Sequence, residues 1–392
     1  MAQLHCKHVA LTILLTLAGF AAGAADSLRV SLLTCSPGTE VWSQYGHTAI
    51  RVQNFTSGAD VTFNYGLFDF SSPHFIWRFC TGETDYLVAG TSTKWFLQGY
   101  AEEGRSVTEQ ELDLTPEARE AITGALVVNC LPENRTYRYN FFYDNCATRV
   151  RHMVEDHCGE LIDYRTEPVF GTLRDALKYY TRNYPWSGFG ISLLIAAPAD
   201  RPSSFEEEMF APEVMMEGFA TAMIGERPLV SDTCVLVEKD PSKVPASLPL
   251  PSPQLCFWAL FAAVLAATVV GLYKGRQLRG IDIALMLLPG VAGVILFFFN
   301  FFSAHPATSP NWLLTWANPL ALVLGVMLCF RSFRNSRAAS LLLALWLLPL
   351  AAGAVAWIAG VQYFHPALLP LMLSVAARSA VCIPGLLNSR KA

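Results

Sequence analysis

The residues of this chain best suited to covalent chemistry are one histidine and one cysteine. His47 lies in the segment WSQYGHTAIRV, residues 42–52, and Cys146 lies in YNFFYDNCATRV, residues 139–150. A free thiol has a pKa of roughly 8.5 and is mostly protonated at neutral pH, whereas the thiolate is the nucleophile. A neighbouring imidazole can accept the thiol proton. We therefore expect Cys146 to act as a nucleophile and His47 as its general base.

A β-hairpin is predicted to carry the histidine. An alternating run starts at His47, and residues 61–70 form a second strand-like run after a turn-rich stretch. The second strand should supply a polar group that orients the imidazole. Asp69 faces His47 if the hairpin turns around Gly58, whereas a looser turn or a bulge would bring Asn64 there instead. Both residues remain candidates.

A helix is predicted to begin beside the cysteine. Asp144 or Asn145 is a suitable N-cap, and Val150 and Met153 continue with helical spacing. Cys146 then lies in the first helical turn, where the positive end of the helix dipole favours a thiolate. The predicted position of the cysteine therefore suits a nucleophile.

Other interpretations of this pair remain open. His74, His152 and His157 are competing bases. In a secreted domain, isolated histidines are often packed and cysteines are often joined in disulfides. Six cysteines lie in the part of the chain that we expect to be exported: Cys35, Cys80, Cys130, Cys146, Cys158 and Cys234. Their spacing forms no CxxC pair and no HExxH motif accompanies them, so we expect no metal site, and thiol chemistry calls for no cofactor.

The composition excludes a fully soluble protein. Hydrophobic residues make up 53% of the 392 residues and charged residues only 15%. The formal net charge of −4 and the lack of a run rich in lysine and arginine make nucleic acid an improbable partner. The long uncharged stretches are concentrated in the first 25 residues and after Pro253.

These stretches divide the chain into segments. The beginning has the anatomy of a cleavable secretory signal, with Lys7, an apolar run and small residues near Ala24, although a retained first membrane helix is an alternative. We predict a signal peptide at 1–24, a globular periplasmic domain at 26–240, a proline-rich linker at 241–254 and a membrane domain at 255–387.

The membrane domain is predicted to have five transmembrane helices. Lysine and arginine follow the first, third and fifth apolar segments, and the other two connections have neither. Since positive loops stay in the cytoplasm, the globular domain faces the exported side. Arg378, in the last segment, is expected to extend toward the cytoplasmic interface. The predicted spans are about 255–273, 281–302, 312–330, 338–359 and 367–387.

Four further residues are candidates for substrate binding. Trp186 lies in the apolar stretch 184–195, which could enter the outer leaflet or bind an acyl chain, or could be a core strand with its turn. Arg149 could meet a lipid phosphate or be a solvated helix charge. His305, in an exported loop, could line a lipid path or anchor the interface. Tyr45, in the histidine segment, completes this group.

The motifs around His47 and Cys146 resemble those of known protein families. The order of histidine before cysteine, with YGHTAIRV and FYDNCATR, resembles the circularly permuted papain-like (NlpC/LRAT-like) thiol enzymes. The set CSPGTEVWSQYGHTAIRV, FNYGLFDF and YNFFYDNCATRVR more closely resembles the Lnb N-terminal periplasmic domain family, strongly over about 32–158 and more weakly to about 219. The resemblance implies an α+β papain-like thiol domain followed by an all-α bundle of five transmembrane helices.

The same resemblance implies a function. Such enzymes are lipoprotein N-acyltransferases of the bacterial inner membrane, which move an acyl chain from a phospholipid donor to the α-amino group of a diacylated lipoprotein. Carried over by motif, Cys146 is the nucleophile and His47 the base, whereas the orienting residue does not carry over. Two rival functions stay open: a membrane-anchored cell-wall peptidase or amidase with the same pair, and a noncatalytic lipid-binding or assembly module in which Cys146 would be disulfide-bonded.

Overall fold

A computed structural model describes residues 27–68, 73–164, 166–244 and 250–383 of the chain. Two compact units form. The first extends to Ala176 and takes up the chain again over Pro202–Ser247, and the second contains Leu177–Arg201 and the chain from Leu248 onward.

The first unit is built on a seven-stranded antiparallel sheet in the order β10-β5-β1-β2-β3-β4-β6, with a small sheet β7-β8-β9 beside it in the same unit. The central strands β1 and β2 are covered on both sides, because the pair Leu32 and Ile50 is fully buried on one face of the sheet and the pair Leu33 and Ala49 on the other. The strands are β1 (Leu28–Cys35), β2 (His47–Asn54), β3 (Ala59–Leu67), β4 (Asp85–Ser92), β5 (Val107–Leu112), β6 (Thr136–Arg138), β7 (Ile162–Asp163), β8 (Met223–Ile224), β9 (Arg227–Pro228) and β10 (Val230–Val237).

Helices cover this sheet and complete an α+β domain. The helices of this unit are α1 (Phe75–Thr81), α2 (Thr93–Glu102), α3 (Pro116–Asn129), α4 (Cys146–His157), α7 (Phe205–Glu208) and α8 (Pro212–Thr221). Between them, α5 (Leu173–Tyr180) continues into the second unit and α6 (Pro185–Leu194) belongs to it. Helix α4 packs on β2 and β3, and α3 packs on α4. The element that begins with the cysteine therefore lies directly on the hairpin that begins with the histidine.

The predicted hairpin is confirmed, with a tighter register than a turn around Gly58 would give. Asn54 pairs with Ala59 and Ile50 with Phe63. The Asn54 carboxamide accepts hydrogen bonds from two backbone N–H groups of the turn, and Gly58 takes the positive φ of 72° that closes it. The hairpin is therefore centred before Gly58, and the same register continued places Gly66 rather than Asp69 opposite His47.

The second unit contains the apolar helices of the C-terminal half. These are α9 (Pro253–Tyr273), α10 (Arg279–Phe301), α11 (Pro319–Cys329), α12 (Arg331–Arg334), α13 (Arg337–Leu345), α14 (Leu347–Ile358) and α15 (Leu368–Ala380). Within the described residues, four helical stretches are long and apolar enough to span a membrane: Pro253–Tyr273, Arg279–Phe301, Trp312–Cys329 and Arg337–Ile358. The fifth predicted span, 367–387, corresponds to the shorter helix Leu368–Ala380, and its predicted end falls outside the described residues.

Arg378 lies at the cytoplasmic end of the bundle, as the sequence predicts, but it is ion-paired inside the protein and does not extend into water. Its side chain is buried and its Nε donates to Oδ1 of the fully buried Asp282 over 2.7 Å. Arg279 approaches the other oxygen of Asp282 at 3.3 Å and donates to Ser340. The Asp282 carboxylate neutralises the guanidinium charge inside the bundle, so Arg378 does not need contact with water to be stable there.

Residues 177–201 also belong to the second unit, although the predicted globular domain, 26–240, included them. The stretch 184–195 forms helix α6 rather than a strand, with Pro185 in its first turn. The Phe189 ring packs on Phe257 and His365, and the Asn311 side chain donates to the Leu193 carbonyl over 2.8 Å. This segment is apolar because it packs against the membrane helices.

Candidate active site

The structure brings His47 and Cys146 together in the first unit. His47 is the first residue of β2, Cys146 is the first residue of α4, and their side chains are hydrogen-bonded to each other. Cys146 is partly exposed, and it is a free thiol like the other eight cysteines of the described residues. The residue that carries the thiol is therefore not completely sealed from solvent.

Asn64 holds the other side of the imidazole. Its Oδ1 lies 2.5 Å from Nε2 of His47, which leaves Nδ1 for the thiol of Cys146. This contact selects the ring orientation, as the third member of a catalytic triad does. Asn64 was one of the two candidates from the sequence, and Asp69, the other, lies outside the described residues.

Gly66 is part of this site and was missed by sequence analysis. It lies two residues after Asn64 on the same face of β3, with a φ of 96°. A Cβ atom built there would lie 3.7 Å from Cβ of Cys146 and 3.8 Å from Cε1 of His47. A larger side chain would cover the pair, and a glycine inside a strand pattern is the signal that could have found it.

The surroundings favour the ionised form of both side chains. Burial opposes charge on Cys146, but the charge of His47, its hydrogen bond and the backbone N–H groups of Thr48 and Ala147 together lower the thiol pKa. Burial likewise opposes charge on His47, yet the Cys146 charge, the hydrogen bond with Cys146 and the bond with Asn64 raise the imidazole pKa. The site therefore favours a thiolate–imidazolium pair.

The start of α4 is fixed by Asn145, the second of the two predicted caps. Its Oδ1 accepts from the backbone N–H groups of Ala147 and Thr148, and its own N–H donates to the Thr148 hydroxyl over 2.8 Å. Its side-chain nitrogen donates to the carbonyls of Phe141 and Phe210. The buried cap thus ties the residue before the nucleophile to two other segments.

Two family models match the chain. The Lnb N-terminal periplasmic domain matches residues 20–179, and the Lnb transmembrane domain matches residues 246–388. Together they cover about three quarters of the chain, in the order of the two halves. The chain belongs to the Lnb family. No match is found among curated proteins or among solved structures.

Membership in the Lnb family indicates the enzyme class and the cellular location of the site. The family is that of Lnb-type lipoprotein N-acyltransferases, so the chain is an acyltransferase by family, with lipoprotein and membrane lipid as the implied substrates. It is a multi-pass protein of the inner membrane with its N-terminal domain in the periplasm. The predicted signal peptide, 1–24, lies outside the described residues.

Arg149 and Tyr45 have structural partners near the Lnb site. The Arg149 guanidinium forms two hydrogen bonds with the Asp144 carboxylate and lies over the Tyr137 ring, 4.4 Å from its centroid. Tyr45 is buried, and its ring meets the edge of Phe141 with centroids 4.8 Å apart. Both residues hold the loop that leads to Cys146, and their predicted contacts with substrate remain predictions.

The other two binding candidates lie in the second unit. The indole nitrogen of Trp186 donates to the Pro251 carbonyl over 2.9 Å, and the His305 ring stacks on Phe299. Their predicted contacts with lipid also remain predictions.

The three competing histidines have other surroundings. His74 is exposed before α1, the exposed His152 lies 3.0 Å from Arg151, and His157 contacts the Met153 carbonyl on its own helix. Among the described residues, no group of three or more histidine, cysteine or acidic side chains could hold a metal ion.

Proposed function

We propose that this protein transfers an acyl chain from a membrane phospholipid, through a thioester on Cys146, to the α-amino group of a lipoprotein's diacylglyceryl cysteine. The observation that carries the proposal is the hydrogen-bonded pair of Cys146 and His47, oriented by Asn64, in a chain of the Lnb family. A periplasmic thiol in a protein with apolar membrane helices suits two substrates that are both anchored in the bilayer.

The first half-reaction forms the acyl-enzyme. The Cys146 thiolate attacks the carbonyl carbon of a phospholipid ester, a carbon–sulfur bond forms and the ester carbon–oxygen bond breaks. The His47 imidazolium gives its proton to the departing alkoxide, which leaves as a lysophospholipid. The lowered thiol pKa and the raised imidazole pKa supply the nucleophile and the acid at once.

The second half-reaction consumes the thioester. The lipoprotein amine attacks the thioester carbonyl, a carbon–nitrogen bond forms, and the carbon–sulfur bond breaks to restore the thiolate. His47, now neutral, accepts the proton that the amine loses. This restores the starting thiolate–imidazolium pair, and the products are an amide-linked acyl chain and a free enzyme.

Backbone N–H groups stabilise the charges in both halves. Those of Thr48 and Ala147 point to the sulfur and stabilise the thiolate before attack. The N–H of Cys146, at the positive end of α4, is the proposed donor to the oxyanion of each tetrahedral intermediate. Exclusion of water from the thioester would favour transfer over hydrolysis.

The test is mass spectrometry of lipoprotein N-termini from cells in which this protein is the sole N-acyltransferase. Cys146→Ala should abolish the N-linked acyl chain while the protein stays in the membrane. Cys234→Ala is the matched control, because Cys234 is exposed on β10 and should leave N-acylation intact. A triacylated N-terminus that persists in Cys146→Ala would reject the proposal and favour a cell-wall hydrolase.

A further inference from the structure

Arg105 is a buried cation at the end of the sheet where His47 lies. Val107, Cys35 and His47 form a row across β5, β1 and β2, because Cys35 pairs with Val107 on one side and with His47 on the other. Arg105 lies two residues before Val107, and only 7% of it is exposed. The register of three neighbouring strands therefore places Arg105 and His47 at the same end of the sheet.

The Arg105 side chain holds the start of the segment 36–46, which leads to His47. Its Nε donates to the Ser36 carbonyl over 2.8 Å, and Ser36 and Ser106 exchange two further hydrogen bonds. Its methylene groups lie against Gly38, where a Cβ atom would come within 3.3 Å of Cδ of Arg105. Arg105 thereby fixes the path of the segment that precedes the histidine.

The charge of Arg105 is only partly neutralised. Its Nη1 donates to the Glu103 carboxylate over 3.0 Å, but 61% of the Glu103 side chain is exposed, so water weakens this ion pair. Its Nη2 is buried and has no hydrogen-bond partner among the described residues. The guanidinium lies over the Tyr100 ring, 4.6 Å from its centroid, and a ring attracts a cation without cancelling its charge. A net positive charge therefore remains beside the row that contains His47.

The other groups around His47 differ in charge between the two stages of the reaction. Tyr100 on α2 and Cys35 on β1 are hydrogen-bonded to each other, and burial raises the pKa of both, so both stay uncharged at neutral pH. Burial and the charge of Arg105 lower the pKa of His47, whereas the negative charge of Cys146 on α4 raises it. A thioester on Cys146 has no such charge, so its formation favours the neutral ring.

We propose that Arg105 is a positioning residue for His47, which holds the segment before the histidine and keeps the ring uncharged while the thioester awaits the amine. A neutral ring is the form that can accept a proton from the lipoprotein amine. The stage at which the neutral ring is used rests on the proposed function. The hold on the segment and the effect of the charge on the ring do not depend on it.

The experiment uses the full chain with the Cys146 thiol capped by iodoacetamide, because the resulting thioether is uncharged, as a thioester is. Deuterium exchange at Cε1 of each histidine, followed by peptide mass spectrometry over a range of pH, gives the titration midpoint of His47. Arg105→Gln should move this midpoint to higher pH, and Arg105→Lys, which keeps the charge, should stay close to wild type. Glu103→Gln removes the partial neutralisation at an exposed position and should move the midpoint to lower pH.

Arg119→Gln is the matched control. Arg119 donates to the Leu28 carbonyl over 3.2 Å at the opposite end of β1, so its loss should leave the His47 midpoint unchanged. His157, on α4, contacts the Met153 carbonyl, and an unchanged His157 midpoint in the same samples shows that a variant is folded.

Three results would overturn the inference. A His47 midpoint that stays unchanged in both Arg105→Gln and Glu103→Gln would exclude an effect of the Arg105 charge. A shift in Arg119→Gln as large as that in Arg105→Gln would mean that the whole domain loosens. A shift in Arg105→Lys equal to that in Arg105→Gln would assign the effect to lost contacts rather than to charge.

A transfer assay separates this inference from the proposed function. In Arg105→Gln, transfer from the thioester to a diacylated lipopeptide should slow severalfold below pH 7 and less above it, because a raised His47 pKa keeps the ring protonated. A shifted midpoint in a chain whose wild type transfers no acyl group would reject the proposed function alone. Transfer by the wild type, with no midpoint shift in the variants, would reject the role of Arg105 alone.

Discussion

Cys35 and Cys146 are two thiols of the same unit whose surroundings have opposite effects. Cys35 ends β1 directly across from His47, is completely buried, and has its pKa raised to about 12 by that burial. Cys146 begins α4 and has a lowered pKa, because the His47 charge, its hydrogen bond and two backbone N–H groups outweigh burial. Nearness to the histidine along a sheet is thus not sufficient. At Cys35 the hydrogen bond with Tyr100 and the charge of Arg105 do not offset burial, whereas at Cys146 the His47 charge and the hydrogen bonds to the sulfur do.

The largest expected effect concerns the identity of the nucleophile. Cys146→Ala should lower the rate of acyl transfer by roughly 10⁴-fold or more, as loss of a covalent nucleophile does. Cys35→Ala should leave the rate within about tenfold, because its effect is limited to packing. The measurement is transfer from phospholipid to a diacylated lipopeptide by the purified full chain. Comparable losses in the two variants would remove the distinction between the thiols.

The next effect concerns the orientation of the imidazole. Asn64→Ala removes the acceptor at Nε2 and should lower the rate by about 10²-fold, near the lower limit for general acid–base catalysis. Asn64→Gln, which keeps a carboxamide at a longer reach, should retain more activity than Asn64→Ala. A rate for Asn64→Ala equal to that of wild type would exclude Asn64 as the orienting residue and leave Asp69 as the candidate.

The pH dependence of alkylation should differ between the thiols of Cys146 and Cys35. Because the pKa of Cys146 is lowered, its alkylation by iodoacetamide should proceed at pH values below those that an ordinary thiol requires. Cys35 should stay unlabelled in the folded protein at the same pH. His47→Ala removes the charge that lowers the pKa, so alkylation of Cys146 at neutral pH should slow severalfold and its profile should move to higher pH. Peptide mapping after timed alkylation gives both rates, and an unchanged profile would contradict the ion pair.

The smallest expected effect is on folding. Gly66→Ala places a side chain at a φ of 96° and should cost about 1–3 kcal/mol of stability, the usual range for such strain. Gly58→Ala, at a φ of 72° with open space around it, is the control with strain but no contact with the pair. Both variants should unfold at lower denaturant concentration, and only Gly66→Ala should also slow alkylation of Cys146. Equal alkylation in the two variants would mean that Gly66 serves the strand and not the site.

Local sequence was sufficient for the elements that carry the pair. The alternation after His47 predicted β2, and the N-cap pattern before Cys146 predicted α4, because both signals act within a few residues. The choice between Asn64 and Asp69 depended on the turn. The centre of the turn lies before Gly58, and moving the turn by one or two residues along the chain changes which residue of β3 faces the histidine.

The sequence by itself determined the order of histidine and cysteine, the apolar segments and the side of the membrane that each loop faces, because residue type and spacing alone produce those signals. Only the tertiary structure decided that Asn64 contacts His47, that Arg378 pairs with Asp282, and that residues 177–201 pack with the membrane helices. Each of these depends on partners distant in sequence, and a contact between distant segments is selected by packing and charge in three dimensions rather than by local pattern.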